Sequence, residues 1–409
     1  MHIRADLPPD PLRVLDACAR RADREGLPPP AALLGDWLGA AAVIAPSVDL
    51  VPVAPADAFA DSGFTVGYLS YPDVPRPDAP HGPGPHGPGL PRGTRRLVPQ
   101  AVAGRAAGLL VLGHDGQWTT RGTVPDVGEL GLSAGGRSDD DESFTLDWSA
   151  PDRDAHRAAV LECLEAIRAG EIYQACLSTR LDGHLEGQPL ALFRALWRRT
   201  RALRAAFLQG RWGSVVSMSP ETYLTRRGRE VRSSPIKGTL PRDADPALLR
   251  TSTKDVAENI MIVDLVRHDL GRTAELGSVT VPDLLSVQEA PGVWHLVSTV
   301  AARTDVPHPE LVDTTFPPAS VTGTPKLRAR ELISGWENRP RGLHCGAIGI
   351  AGPGELDLSV AIRTLEIAPD GRCELGVGGG ITIDSDPDAE WAECLHKAAF
   401  TWGGGPPPW

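Results

Sequence analysis

Two short acidic pairs invite a chemical reading. Asp255 and Glu258 stand three residues apart, as do Glu390 and Glu393, with Lys397 a turn further along. On a helix, that spacing puts both carboxylates of a pair on one face. Four carboxylates on two facing helices would suit magnesium, which takes oxygen ligands, keeps several waters and completes its shell with substrate oxygens. Each pair alone reads more readily as a solvated acidic face, and acids near a helix N-terminus are favoured by the dipole in any case. The spacing does not say whether the two helices face each other.

Other residues have chemistry but little local context. Gly376-Val377-Gly378-Gly379-Gly380 lacks the side chains that would keep a ligand away from backbone N–H groups. Glu221 follows Ser219-Pro220, and Lys237 lies in Pro235-Ile236-Lys237-Gly238-Thr239. Taken alone, these read as a turn glutamate and a loop lysine, and His295 reads as a satisfied buried histidine.

The elements that must hold these residues carry clearer signals. A helix is expected over 252–270, with Ser252 and Asp255 as a capping box in which aspartate replaces glutamate. Its apolar stripe is Ile260, Met261, Val263 and Val266, and Gly271 ends it. A second helix starts at Asp384-Ser385-Asp386-Pro387, an aspartate N-cap followed by proline. An amphipathic helix is expected over 154–168, closing at Gly170. Segments 64–69, 213–218, 223–226 and 347–351 read as strands. Strands mixed with long helices, without regular alternation, favour an α+β fold.

Composition sets the outer limits. The 409 residues are 41% apolar and 23% charged, ordinary for a globular protein with a sizeable core. A net charge of -11 argues against a nucleic-acid partner, which needs a basic face. No apolar run is long enough to span a bilayer, and Met1-His2-Ile3-Arg4-Ala5-Asp6 lacks signal-peptide order, so no membrane is expected. Six scattered cysteines without CxxC spacing read as reduced thiols in a cytoplasmic protein.

Four segments follow from these shifts. Residues 1–133 are alanine-rich and weakly patterned, and contain a Pro/Gly-rich stretch at 71–97. Its His81 and His86 have metal-ligand chemistry, but a surface loop without function is the preferred reading. Residues 134–150, with Asp139-Asp140-Asp141-Glu142, read as an acidic linker. Residues 151–402 form the catalytic part, and 403–409 (GGGPPPW) a tail expected to be disordered.

From Gly170 to Ala398 the chain resembles the chorismate-utilising enzymes: anthranilate, aminodeoxychorismate, isochorismate and salicylate synthases. The blocks that carry the resemblance are GEIYQACLS, SPETYL, SSPIKGTLPR, KDVAENIMIVDLVRHDLGR, GSVTVPDLLSV, VWHLVSTV, FPPASVTGTPK, RGLHCGAIG, AIRTLEI and GVGGGITIDSDPDAEWAECLHKA. They occur in family order, which no lone motif can match for specificity. Residues 1–133 match weakly, chiefly at GYLSY.

The resemblance implies two large β-sheets packed as a sandwich, helices outside, and residues 1–133 as a divergent part of it. It makes Glu258 and Glu393 direct Mg2+ ligands, with Glu390 and Asp255 as outer carboxylates. Magnesium then polarises a carboxylate of chorismate. Arg363, Lys397, Gly378 and Gly379 match binders of substrate carboxylates, and His295 and Thr322 match the ring site. Gly238, Thr239 and His344 are also placed against substrate. Glu221 matches the general acid that protonates the departing C4 hydroxyl.

Two positions select among the relatives. Gln174 stands where water-using members carry a lysine base, which implies a nitrogen nucleophile instead. Lys237 stands where anthranilate synthases typically carry alanine and many aminodeoxychorismate synthases carry lysine. If Lys237 attacks C2 first and ammonia then displaces it from C4, covalent catalysis fixes where nitrogen ends. The resemblance therefore implies aminodeoxychorismate synthase chemistry, with anthranilate or 2-amino-2-deoxyisochorismate synthesis as the alternatives. No glutaminase motif surrounds Cys176 or Cys345, so ammonia is expected from a separate glutamine amidotransferase subunit. Ser234, His268 and His344 depart from the commonest family pattern, and the LLES-type segment of a tryptophan pocket is missing.

Overall fold

The computed structural model describes residues 3–5, 7–60, 63–72, 96–126, 128–131 and 143–409. His81, His86 and the acidic run 139–142 lie outside the described residues.

The strands assemble into two antiparallel sheets, of twelve and ten strands. Sequence halves interleave in both. In the larger sheet, Ala31–Trp37 from the weakly patterned N-terminal part pairs with Arg204–Gly210. In the smaller one, Phe64–Leu69 pairs with Ala347–Gly352. The fold is thus α+β, a sandwich of two sheets with helices outside.

Between the sheets lies an apolar layer that includes Leu33, Trp37, Tyr68, Leu208, Val215 and Ile348. The alternation of strand side chains supplies one face to this layer and the other to the helices. Pro11–Glu25 and Pro189–Thr200 cover one part of the larger sheet, and Arg153–Arg168 and Lys326–Trp336 another. Thr253–Gly271 and His308–Thr315 pack on the smaller sheet. A buried clasp joins the two layers. Asp357 of the smaller sheet accepts from the Leu38 amide (2.6 Å) and pairs with Arg204 of the larger. The Arg204 guanidinium in turn lies 3.8 Å over the Trp37 ring.

Helix starts follow their local chemistry. The Ser252 hydroxyl accepts from the Asp255 amide at 3.2 Å, and Asp386 caps Pro387–Ala398 through the amides of Asp388 and Ala389. Arg153–Arg168 is capped by Asp152, and Gly170 follows it at φ +76°. Three expectations need correction. Ile260 is 47% exposed; the inner face of its helix is Glu258, Asn259, Ile262, Val263, Leu265 and Val266 instead. Of the polar residues on that inner face, Asn259 bonds to the sheet through the Leu296 carbonyl and the Ser298 hydroxyl, while Glu258 faces Lys237. Within 134–150, Thr145–Trp148 is a strand paired with Gln174–Glu186, and Trp148 is buried. Finally, Trp409 of the tail stands edge-on to Trp402, with ring centroids 5.6 Å apart.

Candidate active site

The site is built where the helix Thr253–Gly271, the strand Ile236–Pro241 and the strand Arg372–Ile381 meet. The register of Ile236–Pro241 against Val293–Arg303 shifts between Ile236 and Thr239. Such a bulge re-aims a side chain, and Lys237 lies within it. Gly238 beside it has φ +86°, and a Cβ there would come within 3.1 Å of Asp255. Only glycine fits both the backbone angle and the close approach of the helix.

The bulge sends Lys237 towards Glu258, Nζ to Oε2 3.7 Å. Both side chains are largely buried. The charged group facing this lysine is thus a carboxylate. The glycine strand closes the other side. A Cβ on Gly380 would meet Lys237 Nζ at 3.2 Å and Glu258 Oε2 at 3.4 Å. A Cβ on the preceding Gly379 would meet Glu390 Oε2 at 3.0 Å and Glu393 Oε1 at 3.4 Å. Two consecutive glycines therefore touch the acids of both helices. Consecutive strand residues point to opposite faces, so Gly380 meets the acid of the first helix on one face and Gly379 the acids of the second on the other.

Lysines compensate this negative charge. Lys397 Nζ is 2.6 Å from Glu393 and donates to the Gly378 carbonyl at 2.7 Å, and Lys254 lies 3.7 Å from Glu390. The Ser385 hydroxyl donates to Glu390 at 2.6 Å. Burial, reinforced by Glu393, raises the Glu390 carboxyl above its ordinary range despite Ser385. Burial pushes Glu393 the same way, but Lys397, Lys254 and Lys237 more than offset it and hold that carboxyl low. Lys237 thus acts on acids from both helices. Among the described residues, no three acidic, histidine or cysteine side chains gather tightly enough to hold an ion alone.

Glu221 is 5% exposed. Burial raises its carboxyl to about 7, against the lowering effects of the Ser320 hydrogen bond and Lys237. His295 Nδ1 lies 2.9 Å from the Thr239 hydroxyl, and burial with the nearby Arg363 pushes the imidazole down to about 4. It is a neutral ring at physiological pH. Arg363 adopts φ +50°, its carbonyl accepts from Met218, and burial lowers its guanidinium.

Gln174 is buried and its side-chain carbonyl has no hydrogen-bond partner among the described residues. Its side chain shares a strand face with Cys176 and Ser178 by the two-residue alternation. The Thr322 hydroxyl turns back on its own 3-10 turn, donating to Ala319 at 3.0 Å. His344 packs its ring on Gly376 and faces Ser178 (3.2 Å). That contact lies four residues along the strand from Gly380, about 13 Å from the lysine end. Gly378 lies between the two ends, its carbonyl on Lys397.

Sequence reasoning missed several supports. Arg341 is buried and donates to both Glu337 oxygens (2.9 and 2.7 Å), to Val321 and to the Cys176 carbonyl. Ser385 could have been found, since it lies in the turn that caps the helix carrying Glu390. Nothing local marks Ser320, Lys254 or Arg341.

The profile of the family described as chorismate binding enzyme matches residues 110–402. The chain belongs to that family. Chorismate-binding relatives include an aminodeoxychorismate synthase of Streptomyces griseus, 45% identical over 260 residues. That match covers 61% of this chain and 36% of the relative. Aminodeoxychorismate synthase component 1 of Escherichia coli is 40% identical over 269 residues, covering 63% of this chain and 59% of the relative. The chain thus spans less than two thirds of the length of these curated relatives. Anthranilate synthase component I from Streptococcus pneumoniae has the same fold, with TM-score 0.71, 23% identity and coverage of 91% and 90% of the two chains. The glycine strand, the two acid-bearing helices and Lys237 all fall inside the matched family region. No helix among the described residues is long and apolar enough to cross a membrane.

Proposed function

We propose that this chorismate-binding protein aminates chorismate at C4, as an aminodeoxychorismate synthase component I, through a covalent adduct on Lys237. The observation that carries this reading is the position of Lys237 Nζ, re-aimed by a bulge into the acid-lined site 3.7 Å from Glu258. A lysine there supplies a second amine nucleophile, which simple addition of ammonia at C2 does not require.

The residues divide the work. Glu221, protonated below about pH 7, donates a proton to the C4 hydroxyl as it leaves. The Lys237 amine forms a bond to C2 as the C4–O bond breaks and both ring double bonds shift, from C1=C2 and C5=C6 to C1=C6 and C4=C5. Ammonia then bonds to C4, both double bonds return, and Lys237 leaves C2. The net change is chorismate plus ammonia giving 4-amino-4-deoxychorismate plus water. Arg363 and Lys397 bind substrate carboxylates, while neutral His295 and Thr239 line the ring. Gln174, unlike lysine, cannot take a proton from water, so hydration at C2 is suppressed.

The acids fit Mg2+ in donor type, and the glycines leave room where a Cβ would collide with them. Glu258 and Glu393 would hold the ion, with Glu390 and Asp255 outside them. When bound, it would supply Lewis-acid polarisation of a substrate carboxylate. Ammonia would come from a separate glutamine amidotransferase subunit in the cytoplasm, and the product would feed para-aminobenzoate and folate synthesis.

Incubation with chorismate, Mg2+ and 15N-ammonium, followed by product NMR, tests the reading. Nitrogen at C4 is expected from the native protein and is lost in Lys237→Ala. Nitrogen confined to C2 would instead indicate an anthranilate-type or 2-amino-2-deoxyisochorismate-type enzyme.

A further inference from the structure

Two bulged strands and the helix that carries Glu258 converge on one serine. Ser298 lies in the strand Val293–Arg303, which pairs with Ile236–Pro241 on one side and Thr280–Ala290 on the other. Both neighbours lose register beside it. One does so between Ile236 and Thr239, around Lys237, and the other between Asp283 and Ser286. The Ser298 N–H donates to the Pro235 carbonyl at 3.3 Å, two residues before Lys237. Its hydroxyl accepts from the Leu285 amide at 2.9 Å and donates to the Asn259 side-chain carbonyl at 2.5 Å. The Asn259 side-chain nitrogen donates to the Leu296 carbonyl at 3.2 Å. Both Ser298 and Asn259 are fully buried.

Donor and acceptor counts leave one arrangement. A hydroxyl has a single proton, and the Leu285 N–H already brings a donor to it, so that proton goes to Asn259. The Leu296 carbonyl needs a donor, so the asparagine turns its nitrogen there and its oxygen to Ser298. Leu285 sits at φ +54°, a left-handed conformation that leucine rarely adopts, and its amide is held there by the serine. Asn259 directly follows Glu258 on its helix. The turn that carries the acid and the strand that enters the Lys237 bulge are therefore tied to the same residue.

We propose that Ser298 and Asn259 are positioning residues that set the Lys237 amine against Glu258, 3.7 Å away. They act through the backbone: the serine N–H fixes the approach to Lys237, and its hydroxyl fixes the helix turn of Glu258 through Asn259. Removing the hydroxyl leaves the Leu285 amide and the Asn259 carbonyl without that partner in a buried setting, so the strain falls on the local register. The inference rests on Lys237 and Glu258 belonging to the site, and not on where nitrogen is placed.

Two variants test this. Ser298→Ala removes both hydroxyl bonds without adding volume, and Ser298→Cys keeps a weak donor and acceptor there. The ligand-free proteins are labelled with acetic anhydride and read lysine by lysine by mass spectrometry. Lys254, whose side chain is 48% exposed, serves as reference for the largely buried Lys237. In Ser298→Ala the Lys237-to-Lys254 labelling ratio should rise roughly fivefold, the equilibrium factor of one hydrogen bond. With saturating Mg2+ and ammonium, kcat for chorismate consumption should fall about 10-fold at unchanged KM for chorismate, with Ser298→Cys in between. A serine that only stabilises the fold would lower the urea midpoint and leave the labelling ratio and kcat native. A native value of either, or a loss in kcat that Ser298→Cys does not relieve, overturns the proposal. If Ser298→Ala does not fold, Ser298→Cys against the native protein decides by the same two measurements. The labelling result stands even if nitrogen ends at C2 or chorismate is not turned over, so failure of the proposed function is read separately.

Discussion

Gly380 faces Lys237 and Glu258 at once: a Cβ there would lie 3.2 Å from the lysine Nζ and 3.4 Å from the glutamate Oε2. The absence of one side chain thus sets how closely the nucleophile, the acid and the glycine strand approach. Gly380→Ala should push both groups outward by a few tenths of an ångström. Since a misplacement of about 1 Å can cost roughly 100-fold, a fall in kcat of up to about 10-fold is expected. Circular dichroism should show an intact fold, because the strand keeps its pairing with Gln174–Glu186.

Glu221 is predicted to set the alkaline limb of the rate profile. A carboxyl raised to about 7 stays protonated below that pH and loses its proton above it. As the acid for the leaving hydroxyl it works only when protonated, so kcat should fall as pH rises through about 7. Glu221→Gln should lower kcat roughly 10²- to 10⁴-fold and remove that limb. A pH–rate series on both proteins measures this.

Helix starts and acid pairs were legible because their signals are local. Ser252 reaches the Asp255 amide, and Asp386-Pro387 opens its helix, within three residues. The placement of the pairs was not legible, since Gly379 and Gly380 meet acids of helices far apart in sequence. Ile260 misled because an amphipathic count takes the inner face to be apolar, whereas Glu258 and Asn259 occupy it here. The family blocks carry the proposed site residues, but Ser320, Lys254 and Arg341 act through contacts that no block spacing records. The interleaving of the N-terminal strands also rests on long-range pairing, such as Ala31–Trp37 with Arg204–Gly210.

The clasp between the sheets should carry much of their cohesion. Asp357 satisfies Arg204 and the Leu38 amide in a buried setting. Removing one partner leaves a buried charge unpaired, which costs about 3–5 kcal/mol. Asp357→Ala should therefore lower the urea midpoint sharply with chorismate contacts untouched, as chemical denaturation would show.

Glu258 and Glu393 are predicted to hold Mg2+ between the helices. Isothermal titration of the native protein with MgCl2 should give a binding isotherm that Glu258→Gln weakens at least 10-fold. Chelation by EDTA should abolish turnover, and added Mg2+ should restore it.

The covalent step is the centre of the account. Native protein mixed with chorismate and Mg2+ in the absence of ammonia, then acid-quenched and digested, tests it by mass spectrometry. The peptide containing Lys237 should gain the mass of one chorismate less one water, and Lys237→Ala should show no such gain. An unmodified Lys237 peptide, together with undiminished C4 amination by Lys237→Ala when ammonium is supplied, would contradict it.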